Sequence, residues 1–313
     1  MINYKPYSER TPDTQYQDLL REIREKGIDK VPIHARLAEN KNSGHQNSRE
    51  LTGKALTFDL SNGFPMLTER NLTKPFKGAL GEVIGFLNGA ETLEELESFG
   101  MPKIWWENWV TKEKCEKFGL EEHHLGDGSY GSSLAKFQTA NGTFNQVEAV
   151  MNQMKKMPFL RTHIMTTWHP ALSMGDESQG FKRKVVVAPC HGNFLHFTLF
   201  DHLKELHLTH TQRSADVPVG LQFNLIEWAA LGLMASHILG YKFTRYTHFL
   251  SNPHYYDIQE PSIDEIFKRE PRPFPTVRIE TTRKIEKLSD FRPEDFVVED
   301  YNPHPWISIP TPI

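Results

Sequence analysis

The residues best placed for chemistry lie in Ala188-Pro189-Cys190-His191, followed after a hairpin by Gln212-Arg213-Ser214-Ala215-Asp216-Val217 and Gly220-Leu221-Gln222-Phe223-Asn224. A lone cysteine in an intracellular protein is ordinarily a small buried hydrophobe. The neighbours of Cys190 change that reading. Pro189 stiffens the approach to it. Arg213, on a strand that can pair with the cysteine segment, sets a fixed positive charge near the sulfur and is expected to lower its pKa. The thiolate is the nucleophile; the thiol hardly reacts. Arg213 and Ser214 beside a turn also have the donors to clamp a phosphate, the plain alternative being a surface charge at a strand end.

Histidines suggest a second chemistry, since His202, His207 and His210 cluster in DHLKELHLTH. If 205–212 is a strand, His207 and His210 point to opposite faces and cannot easily share a metal. With only Cys115 and Cys190 and no CxxC pair, no thiolate zinc site or disulfide framework is expected either. No metal is assigned.

These residues need a scaffold, and hydrophobic periodicity predicts one. Helices are expected at 13–26, 76–87, 144–156 and 223–239, the last apolar around most of its circumference and therefore buried. The 76–87 helix carries one carboxylate, Glu82, on or beside its apolar surface. Strands are expected over LTFDL and at 162–168, 184–188, 193–200, 205–212 and 276–281. The polar run 38–50 reads as a mobile loop, and 113–124 as a second segment of low order.

Composition sets the outer limits. In 313 residues, 38% are hydrophobic, enough for a sizeable core, and the absence of a linker makes 1–313 one domain. Net charge is -4, so no general attraction to nucleic acid or acidic membranes is expected. The N-terminal MINYKPYSER has no apolar signal region and no stretch is long enough to span a membrane, which predicts a cytoplasmic protein.

From about residue 50 onward the sequence resembles thymidylate synthase and its hydroxymethylase relatives. The agreement is collinear through Asp59-Leu60, Gly63-Phe64-Pro65, Glu82, Phe86-Leu87, Gly89, Ile104-Trp105, Tyr130-Gly131, Arg161, Trp168 and Pro189-Cys190-His191. It continues through Gln212-Arg213-Ser214, Asp216-Val217, Gly220, Phe223-Asn224, His254, Tyr256, Arg269-Glu270-Pro271-Arg272-Pro273, Tyr301-Asn302-Pro303-His304-Pro305 and Pro310-Thr311-Pro312-Ile313. The resemblance implies an α/β (α+β) fold, a large mixed sheet flanked by helices, and a homodimer joined sheet to sheet.

It also implies roles. Cys190 adds to carbon 6 of a pyrimidine nucleoside monophosphate, most simply dUMP, so that carbon 5 accepts a one-carbon unit from the co-substrate 5,10-methylenetetrahydrofolate. Glu82 relays protons through water, and its apolar setting predicts a raised pKa; a Glu snorkelling from a helix edge is the competing reading. Tyr130 assists proton removal from carbon 5, and Arg213 belongs with these catalytic residues. Asn224 offers an acceptor and a donor side by side, matching N3–H and O4 of uracil, where a cytosine-reading relative would prefer Asp; its alternative use is capping a helix. His254 and Tyr256, two apart on a strand, hold the 3′-hydroxyl. Arg161, Arg213 and Ser214 serve the nucleotide, with Arg161 reaching the partner subunit's site. Asp216 contacts the folate pterin ring and adjoins the nucleotide, and Trp105, Gly220 and Ile313 complete the folate site.

The sequence also departs from that pattern. The N-terminal loop reads KNSGHQNSRE without the usual arginine, leaving Lys41 or Arg49 as substitutes, and a consecutive arginine pair has become Arg161-Thr162. HGNFLHF after the nucleophile, with His196, and Ser251-Asn252-Pro253 alter the walls of the site. Product choice rests on those walls: a hydride from the folate gives a methyl group, whereas water gives a hydroxymethyl group. Trp105 and the C-terminal tail favour a dry site; the altered walls favour a specialised relative. The resulting expectation is hydroxymethylation of dUMP, with thymidylate synthesis as the alternative. More distant alternatives are a cytidylate hydroxymethylase and a non-catalytic nucleotide-binding homologue.

Overall fold

The computed structural model describes residues 2–30 and 47–311. Lys41 and Ile313, and the 38–50 run up to residue 46, lie outside the described residues. Six helices matter for the site: α1 (Gln15–Lys26), α2 (Thr73–Leu87), α3 (Tyr130–Ala135), α4 (Gln146–Lys156), α5 (Leu221–Leu239) and α6 (Glu260–Phe267). The four predicted helices fall on α1, α2, α4 and α5. In α5, Leu225, Ile226, Trp228, Leu231 and Met234 are fully buried, so its apolar circumference meets protein on every side. It ends at Gly240, whose φ of 72° is the left-handed stop that glycine adopts most readily.

Two mixed sheets form the frame. The larger has the order β3 (Lys54–Asp59), β10 (Lys242–Leu250), β8 (Glu205–Gln212), β7 (Phe194–Phe200), β6 (Ile164–Met165). β7 and β8 are an antiparallel pair, Phe194 opposite Thr211 and Phe200 opposite Glu205. β8 and β10 run parallel, which requires a crossover, and α5 lies within it. Along β8, Leu206, Leu208, His210 and Gln212 are buried, while Glu205, His207, Thr209 and Thr211 stay partly open. The smaller sheet has the order β1 (Ile28–Lys30), β2 (Ser48–Glu50), β11 (Pro253–Tyr256), β9 (Ala215–Asp216), and β4 (Phe137–Thr139) and β5 (Gly142–Phe144) form a separate antiparallel hairpin. This is the α/β architecture of mixed sheets flanked by helices that the sequence led us to expect.

Four local expectations fail or are cut back. Residues 48–50 are strand β2, pairing Glu50 with His254 and Tyr256 with Ser48, so the end of the 38–50 run is ordered by β11. The apolar run 184–188 is not a strand. Its backbone crosses the Gly126–Gly128 turn, Val186 N–H reaching Leu125 O at 3.1 Å and Gly128 N–H reaching Lys184 O at 3.0 Å, and its valines enter the core from an irregular path. Segment 113–124 contains a short helix, Lys112–Glu116, fixed by the fully buried Cys115. The expected strand 162–168 shortens to the two residues of β6.

Candidate active site

Cys190 lies where the loop before β7 meets the end of β8. Its carbonyl accepts the backbone N–H groups of Arg213 (2.9 Å) and Ser214 (3.4 Å), which fixes the segment against the β8–β9 turn. Two residues on, Gly192 has φ 65°, and a Cβ there would sit 2.6 Å from Trp228 and 2.8 Å from Thr167. Glycine is required at this turn. At the start of α3, Tyr130 places its hydroxyl 3.2 Å from Cys190 Sγ, where it also accepts the Cys190 N–H at 2.8 Å. The Tyr130 ring is held by stacking on Phe86 of α2, centroids 4.6 Å apart, and by His191 at 4.5 Å.

Burial raises the Cys190 thiol pKa; the Tyr130 hydrogen bond and the Arg213 charge lower it but do not win. The net direction is opposite to that expected from Arg213 alone. Burial is the reason, being the largest cause; Arg213 meanwhile directs Nε to Pro189 O and Nη2 to Ala188 O, both at 2.8 Å, and lies over the Trp168 ring at 5.5 Å. Its guanidinium therefore also braces the cysteine segment.

A second layer was not anticipated. Asn224, near the start of α5, receives a hydrogen bond on Oδ1 from Gln212 Nε2 (2.9 Å) and donates from Nδ2 to Glu227 Oε2 (3.3 Å). Glu82 accepts from Trp106 Nε1 and is hydrogen bonded to Glu227. Desolvation raises both carboxyls, and Glu227 the more because the Glu82 charge adds to it. Among the described residues Glu227 Oε1 receives no hydrogen bond; a proton on Glu227, donated to Glu82, reconciles two acceptors at close range. His191, 3.6 Å from Glu227 Oε2, accepts from Trp228 Nε1 at 3.1 Å and is pushed down to about 3 by burial and then by Arg213, so it is neutral.

On the other side of β9, His254 stands opposite Asp216 and touches Tyr256 edge to face, centroids 5.3 Å apart, so the two rings share one face of β11. Gln259 Nε2 donates to Asp216 Oδ2 (3.0 Å) and to the Pro310 carbonyl (3.0 Å), while its Oε1 accepts from Tyr256 N–H (2.9 Å). One carboxamide thus ties the tail to the Asp216 carboxylate. Gly220 donates to Asp216 O at 2.8 Å at the head of α5. Trp105 packs on Phe223, centroids 5.0 Å apart, and is admitted close to α2 by Gly78. Arg70 is buried beside this wall, bonded to Gln222 and lying over Phe223 and Trp306.

Cys190, Tyr130, Arg213, Ser214, Asn224 and Glu82 therefore gather on one side, and Asp216, Gly220, His254 and Tyr256 adjoin them through the β8–β9 turn. Arg161 stands apart, exposed before β6, with no hydrogen bond or ion pair among the described residues. Arg49 is engaged with Asp29 and the Ile23 carbonyl. Glu227, Trp106 and Gln259 were missed from sequence. A lone carboxylate inside the apolar helix of 223–239 was the available signal for Glu227.

A family model described as thymidylate synthase matches residues 14–313. Thymidylate synthase of Homo sapiens is 31% identical over 269 residues, which cover 82% of this chain and 80% of that protein. Fold and sequence together define a one-carbon transferase acting on a pyrimidine nucleotide. The chain belongs to the thymidylate synthase family, whose members bind dUMP and use methylenetetrahydrofolate as co-substrate. Among the described residues, no helix is long and apolar enough to cross a membrane.

Proposed function

We propose that the enzyme transfers a one-carbon unit from 5,10-methylenetetrahydrofolate to carbon 5 of dUMP through a Cys190 adduct at carbon 6, giving the hydroxymethyl product. The observation that carries the covalent step is the contact of Tyr130 Oη with Cys190 Sγ, 3.2 Å. Burial keeps the proton on the thiol, so the sulfur gives it up only as the bond to carbon 6 is made, the proton passing by way of Glu82 and water to O4 of the uracil, with the Tyr130 hydroxyl steadying the sulfur. The uracil is presented by Asn224: Gln212 and Glu227 take one lone pair and one N–H, leaving one of each for N3–H and O4. Arg213, Ser214 and Arg161 hold the phosphate, and His254 and Tyr256 the sugar.

Asp216 and the Trp105–Phe223 wall suit a flat ring that carries N–H donors, and with Gly220 and Ile313 they would hold the folate. The folate supplies the one-carbon unit and, for a methyl product, the hydride. The hydroxymethyl reading is supported by the Glu82–Glu227 pair, which keeps one carboxylate and one acid beside the pyrimidine. With Tyr130 assisting, the carbon 5 proton leaves as the bond from the one-carbon unit to the folate nitrogen breaks, which leaves a methylene on carbon 5; water adds to it, the water proton passes to Glu82, and the Cys190 thiolate is expelled from carbon 6 as the ring double bond re-forms. Thymidylate synthesis is the second reading, favoured by the Gln259 link between the tail and Asp216, since a tail held there would keep water from the methylene.

One domain over 1–313, acting in the cytoplasm as a homodimer, completes the reading. The outer face of the larger sheet supports the dimer, since Ile164, Phe194 and Phe249 are 38%, 38% and 44% exposed there. Incubation with methylenetetrahydrofolate and dUMP, dCMP, UMP or CMP tests substrate choice: dUMP alone should yield a modified base, and turnover of dCMP in preference would reject the assignment.

A further inference from the structure

Behind Asn224 a chain of hydrogen bonds runs through the closed interior of the larger sheet. His210, Tyr246, His248 and Gln212 are each 1% exposed or less, and His248 stands directly opposite His210 across the parallel β8–β10 pair, ring centroids 4.2 Å apart. Gly192 N–H donates to His210 Nε2 at 2.8 Å, His210 Nδ1 lies 3.1 Å from Tyr246 Oη, and Tyr246 Oη lies 3.3 Å from His248 Nδ1. His248 Nε2 is 2.9 Å from Gln212 Oε1, and Gln212 Nε2 donates to Ser214 O and to Asn224 Oδ1, both at 2.9 Å.

The chain has one direction. A backbone N–H can only donate, so His210 Nε2 is an acceptor and its proton sits on Nδ1, facing Tyr246. Tyr246 then donates to His248 Nδ1, which places the His248 proton on Nε2, facing Gln212 Oε1. At the far end the Ser214 carbonyl can only accept, so the Gln212 amide nitrogen must face it. Both ends demand the same orientation. Burial keeps both histidines neutral, His248 pushed down to about 3 and His210 well below its ordinary value, so each ring nitrogen has a single role.

We propose that His210, Tyr246 and His248 are positioning residues that select uracil over cytosine by locking Gln212, and through it Asn224, in one orientation. This rests on the reading that Asn224 faces the pyrimidine. Cytosine exchanges the donor and acceptor at N3 and carbon 4, so binding it requires Asn224 to turn over. Turned over, its N–H group would point at the Gln212 N–H group, and two donors in a closed interior repel. Gln212 cannot turn in response, because the Ser214 carbonyl holds one end and the His248 N–H the other.

Two measurements test the relay. In the intact wild-type enzyme, nitrogen-15 NMR should find His210 protonated on Nδ1 and His248 on Nε2; the reverse tautomers overturn the proposal whatever any variant does. Calorimetric dissociation constants for dUMP and dCMP form the second arm. Tyr246→Phe and His248→Leu should lower the preference for dUMP by about ten-fold through weaker dUMP binding, with KM for dUMP rising more than kcat falls. His248→Gln, which keeps a donor toward Gln212, should restore the preference. An unchanged dUMP to dCMP ratio in folded Tyr246→Phe and His248→Leu rejects the relay alone, whereas a wild type that binds neither nucleotide rejects the reading beneath it.

Discussion

Glu227 of α5 and Glu82 of α2 are hydrogen bonded to each other, although both carboxyls are shut away from water. Two acceptors at that range need a proton between them, and the deeper Glu227 keeps it. The pair adjoins Asn224 and Trp106, so a single proton is shared next to the groups proposed to face the base.

Glu227→Gln leaves a donor for Glu82 but removes the proton that can be exchanged, and kcat should fall by about 10²-fold, the scale of one general acid or base. The stability signature has a definite sign. A carboxyl raised in the folded state stabilises fully below its unfolded pKa, about 4.3, and that contribution is lost as pH rises through the folded value. Glu227→Gln should therefore lose less Tm than wild type on going from mildly acidic to alkaline buffer. Parallel melting curves against pH check this, and identical slopes would contradict it.

Buried neutral histidines give the opposite limb. His191 and His248 are pushed down to about 3, and His210 lies well below its usual value, all by desolvation first. Groups depressed in this way stabilise above their unfolded pKa, 6.5 for histidine, and lose that contribution as pH falls toward the folded values. Between 6.5 and about 3 the unfolded chain binds protons that the folded one refuses. Well inside that window the slope from these groups approaches about 4 kcal/mol per pH unit. Urea midpoints at mildly acidic pH should drop steeply, and His248→Gln should soften the drop.

Tyr130→Phe removes the one hydroxyl that both steadies the Cys190 sulfur and accepts its N–H. The thiol pKa should rise further, so alkylation of Cys190 should slow at neutral pH, and kcat should fall by about 10²- to 10⁴-fold. Cys115 is fully buried and gives little background in this assay. Unchanged alkylation would mean that the contact contributes nothing to the thiolate.

Gln259→Leu keeps bulk but loses the hydrogen bonds to Asp216 and Pro310. The expected outcome is a higher KM for methylenetetrahydrofolate with little change in dUMP binding, and faster trimming of the C-terminal tail by carboxypeptidase. Equal effects on both substrates would argue that Gln259 only supports β11.

How far the sequence alone carried this picture depended on the physical signal at each point. Strand β8 falls on the predicted 205–212 because alternation set Leu206, Leu208, His210 and Gln212 against the core, and that parity also separated His207 from His210. Helix α5 was legible because apolar residues run around its whole circumference. The 184–188 valines misled, since a short apolar run reports burial without reporting a ladder. Strand β2 was hidden because Ser48, Arg49 and Glu50 look like loop residues until β11 pairs with them. Glu227 was overlooked because a residue buried by neighbours distant in sequence, and kept protonated by that burial and then by the Glu82 charge, has no local signature beyond its oddness in an apolar helix.

The fate of carbon 5 decides both the product and the covalent route to it. Wild-type enzyme and Cys190→Ser are incubated with dUMP and methylenetetrahydrofolate, the nucleotide is analysed by mass, and dihydrofolate absorbance is followed. The wild type should give hydroxymethyl-dUMP without dihydrofolate, and Cys190→Ser should bind dUMP without forming product. A methyl product with stoichiometric dihydrofolate would overturn the product assignment, and turnover by Cys190→Ser would overturn the covalent mechanism itself.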